Sequence, residues 1–139
     1  MPSSLMEWSV SSLLSVLLMT AGVPAMQSAH GQLEASALAL RGLSLLHAYQ
    51  ARARAQHRHI TIPLTEVKNA LKTDGWQFSS NFDDHRRPLV FYAPQGFARA
   101  GRVVMEKGDL QLRWIVSALG RVRYCSGGTV DIPGVASCV

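Results

Sequence analysis

Near the end of the chain, Gly120, Arg121 and Arg123 stand just ahead of a cysteine, Cys125. In an extended strand, alternate side chains share a face, so Arg121 and Arg123 would point the same way about 6.7 Å apart. Guanidinium groups at that spacing can reach neighbouring phosphates on one nucleic-acid strand, each in a two-pronged grip that lysine cannot make. Gly120 allows a sharp turn or a close backbone approach ahead of them. Arg113 and Lys107 are candidates to extend such a surface, with Arg86, Arg87, Arg99 and Arg102 as further cations. On residue types alone, two plainer readings stand beside this one: arginines on a solvated strand face, or a pair gripping Asp131 in the tail.

No other set of residues points to chemistry. The serines lack a G-x-S-x-G setting, and no His-x-x-Glu-type metal motif is present. His57 and His59 are two apart, a poor chelating spacing on a helix. Asp83-Asp84-His85 reads as a polar turn before it reads as a cation site. Trp76, Phe78, Phe91, Tyr92 and Trp114 read as packing residues. The chain is therefore expected to be neither an enzyme nor a cofactor or metal carrier. Its net charge of +5 over 139 residues suits an acidic partner such as nucleic acid or anionic lipid, or serves solubility.

The elements that would position the fork come from the patterning. No charged side chain occurs from Trp8 to Met26, about one membrane span. Serines dilute it, and three readings compete: a cleaved secretory signal, a buried soluble helix, or a retained membrane anchor. The next thirty or so residues favour the anchor. Leu33, Ala37, Leu40, Ser44 and His47 recur at helical spacing, as do Leu38, Leu45 and Ala48, with Gln32, Glu34, Arg41, Gln50, Arg52 and Arg54 mostly between them. That pattern predicts an amphipathic helix to about His57, kinked but not ended by Pro24.

Beyond His59 the period changes to two. Strands are expected at Ile60–Ile62, Trp76–Phe78, Leu89–Tyr92, Arg102–Glu106, Leu110–Ser117 and Gly120–Cys125, and a helical turn between Pro63 and Leu71 with Thr65 as its cap. Leu110, Leu112, Trp114 and Val116 alternate with Gln111, Arg113, Ile115 and Ser117, the mark of a strand with one buried face. One long helix followed by antiparallel strands is an α+β plan. It divides into a membrane-spanning part (1–28), an amphipathic part (29–59) and a β-rich globular domain (60–139). The two cysteines, Cys125 and Cys138, would be plain thiols in a reducing compartment and a disulfide in an oxidising one.

The layout resembles type IV pilins and the pseudopilins of type II secretion. Leu5-Met6-Glu7 followed by Pro24 reproduces the family's spacing of an acidic fifth residue and a downstream proline. Ser3 then becomes the first mature residue, and Pro2 stands where the family has a glycine. AYQARARAQHRHITI, GWQF, LVFYAPQGF and GRVRYC are similar, in order, to landmarks of minor pilins of the FimT and GspH type. The resemblance implies that Glu7 and Pro24 serve assembly with other pilin subunits. It implies an inner-membrane, single-pass chain whose globular domain is periplasmic, and extracellular once in the pilus, with Cys125 and Cys138 joined. Gly120, Arg121 and Arg123 match the Gly-Arg-x-Arg element linked in FimT-type pilins to DNA capture during natural transformation. The expected function is that of a DNA-binding minor pilin. The alternative is a structural minor pilin, or a pseudopilin that primes assembly without touching DNA.

Overall fold

A computed structural model describes residues 2–139; Met1 lies outside them. The chain begins with one uninterrupted helix, α1 (Pro2–Gln56). Its first half is apolar on every side, and the large apolar side chains from Leu5 to Met26 are all more than half exposed. This half is not a buried core helix. It is long and apolar enough to cross a membrane once. The serines that dilute it hide their polarity: Ser9, Ser12 and Ser15 donate to the helix carbonyls of Met6, Trp8 and Ser11 at 2.8–2.9 Å, and Thr20 to Leu17 at 3.0 Å. In hydrocarbon, where water cannot serve a hydroxyl, such back-bonding satisfies it within the helix. The helix runs on through Pro24, whose missing N–H costs one hydrogen bond.

From Ala35 onward the helix packs on its own domain, through Ala35, Leu38, Ala39, Leu46, Gln50 and Ala53. This corrects the expected inward stripe: Leu33, Ala37, Leu40, Ser44 and His47 face outward, while Gln50, expected to be polar and outside, is buried. Small residues decide the docking face. The Trp114 indole lies against Gly42, where any Cβ would overlap the ring, and its Nε1–H donates to the Ala39 carbonyl at 3.0 Å. The helix ends on His57, a non-glycine residue with φ +49°, and Arg58 N–H closes the turn onto the Ala53 carbonyl.

Two antiparallel sheets come next. β1 (Ile60–Ile62), β3 (Leu89–Tyr92) and β4 (Phe97–Ala98) form one, in the order β1-β3-β4. β2 (Gln77–Ser80), β5 (Gly101–Lys107), β6 (Leu110–Val116) and β7 (Val122–Ser126) form the other, in the order β2-β5-β6-β7. A short helix, α2 (Leu64–Ala70), links β1 to β2, and the expected α+β plan holds. Thr65 does not cap α2. Leu64 N–H instead donates to Asp84 Oδ1 at 3.0 Å, a cap supplied from a distant loop. The core lies between α1 and the sheets, centred on Trp114, Phe91, Leu38, Ile62, Leu89 and Leu112, each at most 1% exposed.

Candidate nucleic-acid interface

The fork sits where the four-stranded sheet meets the helix. Strand β7 starts at Val122, later than the alternation alone suggests, so Arg121 belongs to the turn and Arg123 to the strand. Both arginines are exposed, and Val122 between them is buried. The turn is built by hydrogen bonds around Ser117. Its carbonyl accepts from Gly120 N–H at 3.0 Å, its N–H donates to the Arg121 carbonyl at 2.9 Å, and its hydroxyl accepts from Arg121 N–H at 3.1 Å.

Gly120 has φ +84° and is buried. A Cβ there would overlap the Gly96 carbonyl and lie 2.7 Å from Gln50 Nε2, so only glycine fits. The buried Gln50 amide donates to both Gly120 O, at 2.6 Å, and Gly96 O, at 2.8 Å. The glycine of the Gly-Arg-x-Arg element thus lets the turn pack onto α1, and the two arginines project from a fixed base.

On the other side, Cys125 and Cys138 form a disulfide with Cα atoms 5.0 Å apart. The enclosed loop is not a loose tether. Ser126 N–H donates to Ala136 O at 2.7 Å, Cys138 N–H to Ser126 O at 2.8 Å, and Ile132 is buried in the core. Ser36 on α1 donates to Pro133 O at 2.7 Å. A shallow cavity of about 180 Å³ separates Arg123 from the tail residues Ala136 to Val139. Among the described residues the ion pairs are Lys107–Glu34 and His30–Glu34. Neither fork arginine is therefore engaged with Asp131, and that reading falls away.

The other candidates divide. Arg113 lies opposite Cys125 on the face of the sheet that carries Arg123. Lys107 does not join them. It shares the helix side of β5 with Val103 and Met105, and its Nζ lies 3.7 Å from Glu34 on α1. Glu34 also accepts from Trp76 Nε1–H at 2.8 Å. Glu7 is exposed, near the start of the apolar half of α1, and Pro24 lies within that half. His59 Nδ1 accepts from Ala93 N–H at 3.1 Å, and Asp83 accepts from His85 N–H at 2.9 Å. Among the described residues no group of metal-ligating side chains converges. Sequence reasoning missed Gln50, a helix residue whose role depends on a turn 70 positions away. No family profile, curated protein or solved structure matches this chain.

Proposed function

We propose that this chain is a membrane-anchored minor pilin that binds DNA, in which Arg121 and Arg123 hold backbone phosphates without regard to sequence. The observation that carries the reading is the state of the fork. Its two exposed guanidinium groups have no acidic partner among the described residues, and their base is fixed by the Gln50 amide and the Cys125–Cys138 disulfide. A pre-set base lowers the ordering cost of binding. Phosphate contacts made by arginine give affinity that falls with salt and carries no base preference, which suits the uptake of arbitrary DNA. In this reading the apolar half of α1 sits in the inner membrane before assembly and packs among other pilin helices afterwards. The domain then lies in the periplasm, where the disulfide is kept, and outside the cell when carried on the pilus.

A test uses the full chain in detergent micelles and a labelled duplex of arbitrary sequence. Arg121→Gln with Arg123→Gln should abolish measurable binding while the circular dichroism spectrum stays unchanged. Unchanged affinity in that variant would sink the assignment.

A second reading rests on the outward stripe of Leu33, Ala37 and Leu40 on α1, an apolar seam suited to packing against further pilin subunits. It makes the chain a structural minor pilin or pseudopilin that primes assembly. Loss of piliation or secretion on deletion, with no DNA binding by the purified chain, would favour it.

A further inference from the structure

The four-stranded sheet has an outer face, turned away from α1, that the fork alone does not use. Register decides what stands there. Arg123 lies opposite Ile115, and Ile115 opposite Arg102; Cys125 lies opposite Arg113, and Arg113 opposite Val104. Because side chains alternate along each strand, Arg102, Arg113 and Arg123 share one surface, with Ile115 and Val104 between them. The aromatic rings of these strands, Phe78, Trp114 and Tyr124, all lie on the opposite face. The outer face thus offers cations without a stacking platform.

Arg113 is held in place. Its Nε–H donates to Gln111 Oε1 at 3.0 Å, and the Gln111 amide donates in turn to Glu106 Oε1. Gly127 leaves the hollow in which this pair lies: a Cβ there would come within 2.8 Å of Arg113 Nε and would overlap Gln111. The Nη groups of Arg113 have no partner among the described residues. Arg102 is fixed by its backbone, not its side chain. Its N–H donates to Asn81 Oδ1 at 2.7 Å, and its carbonyl accepts from Ser80 Oγ–H at 2.8 Å and from Asn81 N–H at 3.2 Å. Its exposed guanidinium is uncommitted. Together with Ser79, Ser80, Asn81, Gln111 and the Glu106 carboxylate, the two arginines line a shallow cleft of about 230 Å³, in which the Gln111 amide donates to Glu106.

We infer that this cleft is a second phosphate subsite, which takes the backbone of a nucleic acid as it leaves the fork and turns across the sheet. The inference rests on the DNA-binding reading of the fork. The steps of the path are similar in size. Arg121, in the turn, and Arg123, on the strand, are two residues apart, a backbone span of at most about 7 Å. Arg123 to Arg113, and Arg113 to Arg102, are diagonal neighbours on adjacent strands, roughly 7–8 Å apart. A polyanion with evenly repeated charge meets all four arginines, whereas a small anion meets one or two. Glu106 lines the end of the cleft beyond Arg113, its carboxylate taken up by the Gln111 amide, and the cationic path stops there.

The experiment measures fluorescence anisotropy of a labelled duplex with the full chain in detergent, at several salt concentrations. Arg102→Gln with Arg113→Gln should weaken binding about tenfold or more, and the slope of log K against log salt should fall by about 2, since each lost phosphate contact removes ~0.9. Arg102→Gln alone disturbs no hydrogen bond of the fold and should lower the slope by about 1. If these variants bind with unchanged affinity and slope while the fork variant fails to bind, the subsite is overturned and the DNA-binding reading stands. If the unaltered chain does not bind the duplex, both fall. Inorganic phosphate that competes as well as the duplex at equal phosphate concentration would make the cleft a small-anion site and overturn the polyanion path.

Discussion

The Gln50 side chain joins helix to fork: its Nε2 donates to the Gly120 carbonyl at 2.6 Å and, with its second hydrogen, to the Gly96 carbonyl at 2.8 Å. Gln50→Ala strands both carbonyls in a buried place, which costs about 1–3 kcal/mol. Thermal unfolding of the full chain followed by circular dichroism checks this, and an unshifted melting curve would show that the clamp contributes nothing. Gly120→Ala should be worse, because left-handed backbone and the overlap with Gly96 add to the loss.

Gly42→Ala tests how the domain docks on α1. The new methyl would have to displace the Trp114 ring, and overpacking of this kind costs about 1–3 kcal/mol. The near-ultraviolet dichroism of the tryptophans should change with it. A variant with native spectrum and stability would mean that helix and sheet separate easily at this point.

Opening the disulfide should loosen the tail but leave β7 paired with β6. Cys138→Ser removes a loop closure worth ~3 kcal/mol in the chain-entropy model. Proteolysis should then cut between Gly127 and Ser137 faster than in the parent. Equal protection in both would assign the loop's order to Ile132 and the Ser36–Pro133 hydrogen bond instead.

Lys107→Gln should leave DNA affinity unchanged, since its ammonium faces Glu34 and not the fork. A marked loss of affinity, measured beside Arg123→Gln, would place the nucleic acid on the other side of the sheet.

Tyr49 gives a pH signature. Its hydroxyl donates to the Glu66 carboxylate, and this bond, partial burial and the Glu66 charge hold its pKa above the ordinary tyrosine value, against a smaller opposing pull from Arg52. A raised folded-state pKa adds stability that is fully present below the unfolded value of about 10 and is lost as pH rises through the folded one. Ultraviolet titration of the parent against Tyr49→Phe isolates the group. Glu66→Gln should bring its transition down, and no change would remove Glu66 as the cause.

Parts of the fold were legible in the sequence. The alternation from Leu110 to Val116 marked a strand with one buried face, and Leu112, Trp114 and Val116 are indeed buried. Gly120 announced the turn. The helix face was not legible, because a segment rich in leucine and alanine on every side gives periodicity nothing to choose between. The choice was made by Gly42, which carries no hydropathy signal but admits the Trp114 ring. Lys107 was nearer to hand: it continues the inward set of Val103 and Met105, so counting along β5 already turned it from the fork. The grouping of Arg102, Arg113 and Arg123 depends on which residues pair across strands, and no local pattern states that.

The Gln50 clamp also has a mechanical consequence. The helix is continuous over 55 residues, about 80 Å of helix axis at 1.5 Å per residue, and the turn that carries the arginines is fastened to its side near the far end. Tension between an N-terminus held in a membrane and a ligand on the fork would enter the helix close to that fastening, which the Gly96 carbonyl of the turn between β3 and β4 shares. Pulling experiments on Gln50→Ala should therefore find a softer attachment at the same rupture site, the helix being intact and its coupling to the load lost.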